Sequence, residues 1–133
     1  MPKAATFPPK FFHRIRFTNT QDLDAMIAAG STAVVSDELA AAFSRGHGLL
    51  VASWDGVGRA QVHALGIVIG STGGKRQVQW SRVQCELPES DRGGAHFWTQ
   101  AKPTFKFAES VAESFQLKDL FKKRMTDPFS DAR

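Results

Sequence analysis

Two glycine-rich turns divide the middle of the chain into three short apolar segments whose hydrophobic period is close to two. The segments cover residues 48–55, 62–69 and 77–87, and the turns cover residues 55–58 and 70–74. A period of two is typical of β-strands, and an Asp-Gly step between two such runs is typical of a hairpin. The sequence therefore predicts a β-meander whose second segment, apolar on both faces, is the central strand.

A strand and two helices are predicted before this meander. Residues 11–17 alternate in part and indicate the strand. Thr20 is the predicted N-cap of the first helix and Gly30 its stop, because a hydroxyl satisfies unpaired N–H groups and glycine accepts a left-handed cap. Ser36 and Gly46 bound a second, short helix in the same way.

The segments after the second strand of the meander complete the predicted fold. The apolar phase slips between Trp80 and Val83, which indicates a β-bulge near Arg82. A long loop covers residues 88–104, and apolar residues at helical spacing predict a final helix over residues 108–125. Strands enclosed by helices predict an α+β domain, with a small curved mixed β-sheet or partly closed β-barrel flanked by helices.

The length of 133 residues fits one domain. We expect an extended arm over residues 1–10, a single domain over residues 11–125 and a tail over residues 126–133. Phe105 and Phe107 indicate a last short strand inside that domain.

Composition places the chain among ordinary globular proteins, with 42% hydrophobic and 23% charged residues. No run approaches the roughly 18 apolar residues of a membrane helix, and the N-terminal segment lacks the apolar core of a signal peptide. Cys85 is the single cysteine, which excludes an internal disulfide and a cysteine metal site. We therefore expect a cytoplasmic protein without a membrane, metal or cofactor partner.

The net charge of +4 is distributed unevenly along the chain. Residues 1–19 and residues 59–107 each carry +4, the segment between them carries −4, and residues 108–133 are balanced. A basic face suits a phosphate-bearing partner, because lysine and arginine release condensed counterions on binding. A solvated surface that keeps the protein soluble explains the same charges equally well.

Residue types that carry catalysis are present without the spacing that catalysis needs. There is no G-x-S-x-G motif, and the glycine-rich turn before Lys75 lacks the leading glycine and the following helix of a P-loop. The four histidines do not have the close spacing of a metal-binding pair. They are His13, His47, His63 and His96. No nucleophile and base can be paired from the sequence, which favours a non-catalytic function.

The tryptophans are the aromatic residues whose positions bear most on binding, because an indole N–H requires a partner when it is buried. Trp54 ends a strand before a turn, and Trp98 lies in the long loop. Each is expected either to stack on a nucleobase or to cover the edge of the core. Trp80, in the middle of a strand, is expected in the core.

Taken in order, these segments resemble the YTH and EVE branch of the PUA-like superfamily. The run LLVASWDG resembles the family's hairpin strand, and residues 78–88 are similar to the V-x-W-x-x-V…L-P strand of YTH domains. Residues 36–43, SDELAAAF, are similar to its second helix, and residues 117–121, LKDLF, to its closing segment. The resemblance implies a PUA-like fold that binds nucleic acid and holds one flipped base, such as N6-methyladenosine, in an aromatic pocket.

The resemblance also implies roles for particular residues. Asp22 corresponds to the residue that hydrogen-bonds the edge of the base, Arg16 to a cation near the phosphates, and Ser53 to the hairpin serine. Thr32 and Ala33 stand where the family has a tryptophan and so depart from its pattern. The candidate base pocket comprises Asn19, Asp22, Thr32, Ala33, Ser53, Trp54 and Trp98, and the candidate phosphate contacts are Arg14, Arg16, Lys75, Arg76, Arg82, Lys102 and Lys106.

These observations predict a non-catalytic module that binds nucleic acid, with single-stranded RNA favoured over DNA. Two alternatives stay open. One is a small hydrolase of the ASCH type, which a strongly shifted pKa beside a nucleophile would favour. The other is a protein-interaction module of a toxin or restriction system that contacts its partner through the loop at 88–104.

Overall fold

The computed structural model describes the strands and helices of the chain and part of the segments that join them. The described residues are 7, 9–17, 19–32, 37–54, 59–72, 75–88, 104–107, 112–113 and 115–125, without the side chains of residues 37, 39, 54, 59, 60, 72, 87, 88 and 105. Most of the predicted N-terminal arm, the turn at 55–58, most of the loop at 88–104 and the C-terminal tail lie outside them.

Five strands form one mixed sheet. In chain order they are β1 (Phe12–Arg16), β2 (Gly48–Trp54), β3 (Arg59–Thr72), β4 (Lys75–Pro88) and β5 (Thr104–Lys106). Their order across the sheet is β4-β3-β2-β1-β5, with β1 and β2 parallel and all other neighbours antiparallel. Among the described residues nothing pairs β4 with β5, so this is an open mixed sheet and not a closed barrel.

The predicted meander is confirmed, with β3 as the strand between β2 and β4. A register irregularity on β3 between Val62 and Ala64 faces the segment that follows Arg82, so the irregularity expected there is present. The slip of apolar phase that indicated this irregularity in the sequence has a different cause. Trp80 and Val83 pack in separate apolar clusters. The two side chains point to opposite faces of the sheet, and normal alternation along β4 produces the apparent slip of phase.

Two helices in the described part of the chain lie between β1 and β2, α1 (Thr20–Ala29) and α2 (Asp37–Ala40). Asn19, and not Thr20 as predicted, is the N-cap of α1, because its side chain accepts a hydrogen bond from the backbone N–H of Asp22. Asn19 has the extended backbone of a cap residue, whereas Thr20 is already helical. Gly30 ends the helix with a φ of 62°, so the predicted stop is confirmed.

The last helix, α3 (Leu117–Arg124), begins later than the sequence predicts. Gln116 has a φ of 56° and interrupts the right-handed helix expected from residue 108. Phe115 and Leu117 are both buried in one apolar cluster. Residues two apart lie on nearly opposite sides of an α-helix, so a left-handed residue between them allows both side chains to reach the same core.

Apolar side chains cover both faces of the sheet. On one face Phe12, Leu50 and Ile67 pack with Phe121 of α3. On the other face a second cluster contains Ile15, Leu49, Val51 and Val68 from the strands and Leu23, Met26, Ala40 and Phe43 from the segments around α1 and α2. The fold therefore has three layers, and the predicted α+β class with flanking helices is confirmed.

None of the helices in the described residues combines the length and the apolar character that crossing a membrane requires.

Candidate nucleic-acid interface

The carboxyl ends of β1 and β2 lie side by side, because these two strands are parallel. Arg16 pairs with Ala52, and the backbone N–H of Phe17 donates to the carbonyl of Ala52 at 3.1 Å. The residues that follow each strand therefore meet at one edge of the sheet. In sheets with parallel strands, ligands commonly bind beyond the carboxyl ends of those strands. Two of the predicted site residues lie at these strand ends: Arg16 is the last residue of β1, and Ser53 is the last but one of β2. Asn19 is the N-cap of the next helix.

An aromatic pair lies at this edge. The rings of Phe17 and His63 stack with their centroids 3.9 Å apart and an interplanar angle of 21°. His63 lies where β3 shifts its register against both β2 and β4. A bulge of this kind re-aims a side chain, and here the imidazole contacts Phe17 from the neighbouring part of the sheet.

Ser53 makes a polar contact with the same imidazole. Its Oγ lies 3.1 Å from Nε2 of His63. Burial lowers the pKa of His63 below its ordinary value, so the ring is neutral at neutral pH and has one donor and one acceptor nitrogen. The site thus combines an aromatic surface with a hydroxyl and an imidazole that can exchange a hydrogen bond. The sequence analysis did not place His63 in the candidate site, since only the pairing of β2 with β3 brings His63 and Ser53 together.

Asp22 is oriented by the helix cap. Oδ1 of Asn19 accepts the Asp22 N–H at 2.7 Å, and Nδ2 of Asn19 donates to Oδ2 of Asp22 at 3.3 Å. Asp22 is half-buried and Asn19 is exposed. A carboxylate in the first turn is stabilised by the helix dipole, and an amide N–H holds it in one direction.

Thr32, predicted in the base pocket, is buried in a structural contact. Its backbone N–H donates to the Arg76 carbonyl at 3.0 Å, and its Oγ1 accepts the Arg76 N–H at 3.1 Å. This pairing attaches the segment after α1 to the edge of β4, and it uses the hydroxyl that a ligand would need. Ala33, Trp98 and Lys102 lie outside the described residues, as does the side chain of Trp54.

Arg14 is the predicted phosphate contact whose position departs most from the prediction. It is 1% exposed, because β1 lies inside the sheet between β2 and β5. Burial, and then the nearby charge of Arg16, lowers the pKa of the Arg14 guanidinium to about 10. A side chain enclosed in this way does not reach a nucleic-acid strand on the surface, whereas the side chain of Arg16 is exposed.

The predicted cations of β4 are largely engaged within the protein. Arg76 donates from Nε to the carbonyl of Phe43 at 2.6 Å and from a terminal nitrogen to the carbonyl of Ala41 at 3.3 Å. Arg82 forms an ion pair with Asp24 of α1 at 2.5 Å. Both contacts join elements distant in sequence, so the sequence alone could not reveal them. Lys75 is half-buried at the start of β4.

Lys106, on the edge strand β5, is exposed, and its ammonium lies over the ring of Phe11 at 4.4 Å from the centroid. Phe11 is itself 44% exposed. A cation held over an aromatic face is stabilised by the ring quadrupole. This pair lies at the amino end of β1, away from Arg16, so the predicted cations do not form one continuous row.

A histidine pair that the sequence analysis did not predict lies beside Lys106. Nε2 of His13 and Nδ1 of His47 are 2.8 Å apart. The Ser44 N–H also donates to Nδ1 of His47, at 3.2 Å, so Nδ1 carries no hydrogen and Nε2 of His13 is the donor. Burial, then His47 and then Lys106, lowers the pKa of His13 to about 3. The two residues are far apart in the sequence, and no spacing motif predicts that they form a pair.

A groove between β4 and α3 was also missed. It has a volume of about 400 Å³ and is lined by Gln79, Trp80, Ser81, Lys123, Arg124 and Met125. A second depression, of about 210 Å³, lies near the start of α3 and is lined in part by Lys10, Gln116 and Asp119. Neither is lined by Asp22 or Ser53. The charge balance of residues 108–133 concealed the basic side of α3, because balance along a segment says nothing about which side chains share a surface.

No family model matches this chain, and no curated protein matches it significantly. The described residues contain no group of three or more side chains suited to hold a metal ion. The resemblance to YTH and EVE domains therefore stays a prediction from sequence.

Proposed function

We propose that this protein binds single-stranded nucleic acid and holds one unstacked base at the carboxyl ends of β1 and β2. The observation that carries the proposal is the stacked pair of Phe17 and His63 with Ser53 in hydrogen-bonding contact. Asp22 belongs to the first turn of α1, the helix that follows β1, and we expect its carboxylate to contribute from the same end of the sheet. The resemblance to PUA-like YTH and EVE domains supports the same ligand, since it assigns base contacts to Asp22 and Ser53.

The chemistry of a base suits these groups. A base taken out of its stack needs an aromatic or apolar surface for its face and polar groups for its edge. Phe17 and His63 provide the first, and Ser53 and Asp22 provide the second. Arg16, exposed at the end of β1, is placed to contact a phosphate, and such contacts position a strand without reading its sequence.

We propose RNA as the nucleic acid and a base that can carry a methyl group as the recognised feature. A carboxylate accepts a hydrogen bond from an exocyclic amine, and a methyl group on that amine requires an apolar neighbour. Phe17, stacked on His63, provides an apolar ring at this site. Oligonucleotides that differ by one base methyl group test this part of the proposal.

The test is the binding of fluorescently labelled RNA and DNA strands of about 12 nucleotides, plain and base-methylated, by fluorescence anisotropy. We expect Asp22→Ala to weaken binding of the preferred strand about tenfold, the loss expected for one hydrogen bond to a charged group. Arg16→Gln is expected to weaken all strands alike and to reduce the dependence on salt. Lys118→Gln, an exposed cation on α3, is the control for charge.

Binding that is independent of salt, or the absence of binding to any RNA or DNA strand, contradicts the proposal. A loss of affinity in the Lys118 control equal to that of Arg16→Gln contradicts the assignment of Arg16. Urea unfolding of each variant separates loss of binding from loss of the fold.

The contact between Ser53 and His63 also favours a second function, hydrolysis. A hydroxyl within hydrogen-bonding distance of a neutral imidazole is the arrangement of a nucleophile and its general base. His63 would accept the hydroxyl proton while Ser53 Oγ attacks an acyl carbon, and would return the proton to the leaving group. A fluorophosphonate probe tests this: labelling detected by intact mass, absent in Ser53→Ala and reduced in His63→Gln, is the expected result. An unlabelled protein excludes an activated serine.

A further inference from the structure

The groove between β4 and α3 is held in place by contacts on both sides. The Ser81 hydroxyl donates to the carbonyl of Arg124 at 3.4 Å, which ties β4 to the end of α3. Met125, which follows the helix, is buried in the apolar cluster on this face. Its N–H donates to the carbonyl of Phe121 at 2.9 Å. The backbone that carries the charged residues of the groove is therefore fixed by packing.

The charged side chains among the described residues that line the groove are all basic. Lys123 and Arg124 are exposed cations, Gln79 and Ser81 are neutral hydrogen-bonding side chains, and no carboxylate is among the described residues that line the groove. Cations in the last turn of a helix are stabilised by its dipole. That effect explains basic residues at this end of α3 but not an amide and a hydroxyl facing them across a groove. Two cations with neutral polar groups are the composition that contacts phosphate oxygens.

We infer that this groove is a second contact for the sugar-phosphate backbone of the bound strand. The inference rests on the proposed function and adds to it a place where the strand continues after the base site. Ser81 pairs with Leu65, two positions along β3 from His63. With strands about 4.8 Å apart and a rise of about 3.3 Å per residue, the backbones of His63 and Ser81 are roughly 8 Å apart.

The two places lie on opposite faces of the sheet, because Phe17 packs with the cluster under α1 and α2, whereas Met125 of the groove packs with the cluster under α3. A nucleic-acid strand held at the Phe17 and His63 pair therefore passes around the edge strand β4 to enter the groove. Arg82 is exposed on β4 beside this path, with its guanidinium directed to Asp24. A basic side chain already paired to a carboxylate adds little attraction, so Lys123 and Arg124 provide the main charge. The contact is independent of sequence, as expected for phosphates.

The experiment compares two double variants that remove the same charge from the same helix. Lys123→Gln with Arg124→Gln removes the cations of the groove. Lys118→Gln with Lys122→Gln removes two exposed cations of α3 that do not line it. Both are measured with labelled RNA of about 12 nucleotides and of about 4 nucleotides between about 50 mM and about 200 mM salt.

The groove variant is expected to lower the slope of log Kd against log salt concentration by about 1.4 for the long strand, two contacts at about 0.7 each. The control variant is expected to change the slope far less. The short strand, which occupies the base site, is expected to lose little affinity in either variant. Urea unfolding confirms that both variants are folded.

Equal slopes for the groove variant and the wild-type protein overturn the inference, and so do equal losses in the two double variants. In both cases binding by the wild-type protein and its sensitivity to Asp22→Ala leave the proposed function standing. If the wild-type protein binds no strand, the proposed function fails and the inference fails with it.

Discussion

The side chain of Asn19 joins the start of α1 to its first turn, through one hydrogen bond from the Asp22 N–H and one to the Asp22 carboxylate. Thr20, next in the chain, carries a hydroxyl that is equally able to cap a helix, but it lies within the helix. The two residues provide a direct test of which group satisfies the unpaired N–H groups of the first turn.

We expect Asn19→Ala to lower the free energy of unfolding by about 1 kcal/mol, the ordinary loss of an N-cap. Thr20→Ala is the matched control, and its effect is expected to stay within about 0.5 kcal/mol. Urea denaturation followed by circular dichroism measures both. A larger loss for Thr20→Ala than for Asn19→Ala contradicts the assignment of the cap.

The pair of His13, which is buried, and His47, which is half-buried, makes stability depend on pH. The pKa of His13 is lowered from 6.5 to about 3 in the folded protein, and that of His47 is also lowered, in both cases mainly by burial. Below the unfolded pKa the unfolded chain takes up protons that the folded protein does not. The contribution is therefore fully present above about pH 6.5 and is lost as the pH falls from there towards about 3.

Between about pH 7 and about pH 5, His13 is expected to account for the loss of about 2 kcal/mol of the free energy of unfolding. His13→Phe removes the titrating group and keeps a ring beside Phe43, whose centroid lies 4.8 Å from that of His13. We expect this variant to lose less stability over the same range, as measured by urea unfolding at several pH values. If the free energy of unfolding depends on pH in the same way in the variant and the wild type, His13 is not a buried neutral group in the folded protein.

The path of β3 beside β4 depends on a glycine. An added Cβ at Gly66 would lie 2.6 Å from Cγ1 of Val78 and 2.7 Å from Cε3 and Cζ3 of Trp80. The indole of Trp80 is held there, because its N–H donates to the carbonyl of Ser31 at 3.1 Å. The close approach of an aromatic ring to the backbone therefore requires the absence of a side chain at Gly66.

Gly66→Ala is expected to lower the free energy of unfolding by about 1–3 kcal/mol through overpacking. Gly70→Ala on the same strand is the control: its Cβ would meet only the end of the Gln77 side chain, at 3.1 Å, which can move. Its expected effect is within about 0.5 kcal/mol. Thermal or urea unfolding distinguishes the two, and equal losses would show that β3 is sensitive to any added methyl group.

The elements also show which features short segments specify. The helix stop at Gly30, the period of two along β2 and β3, and the order of helices and strands follow from local sequence, and all of them were predicted. The start of α3 was wrong, since helical spacing of apolar residues cannot show that Gln116 adopts a left-handed backbone to bury Phe115 and Leu117 together.

One sheet supports two apolar clusters, one under α3 and one under α1 and α2. Each of the strands β1 to β4 contributes buried side chains to both clusters. We therefore expect that neither layer unfolds alone. A domain of this size commonly unfolds in a single transition.

We expect Phe121→Ala, on one face, and Met26→Ala, on the other, each to lower the midpoint of the same transition. Their losses are expected to be about 3–5 and about 2–5 kcal/mol, since both side chains are at most 2% exposed. The measurement is urea unfolding followed both by circular dichroism and by tryptophan fluorescence. Two separate transitions in either variant contradict a single cooperative unit.

Strand periodicity, turn glycines and helix stops act within a few neighbouring residues, so the amino-acid pattern was sufficient to predict the α+β class, the meander and the end of α1. Proximity in space depends on which strands become neighbours. The parallel pairing of β1 with β2 brings Arg16 and Ser53 to one edge, and the register of β2 with β3 brings His63 to Ser53. The position of β1 between β2 and β5 encloses Arg14. These pairings join residues distant along the chain through the packing of whole elements, and for that reason only the folded molecule reveals the candidate site.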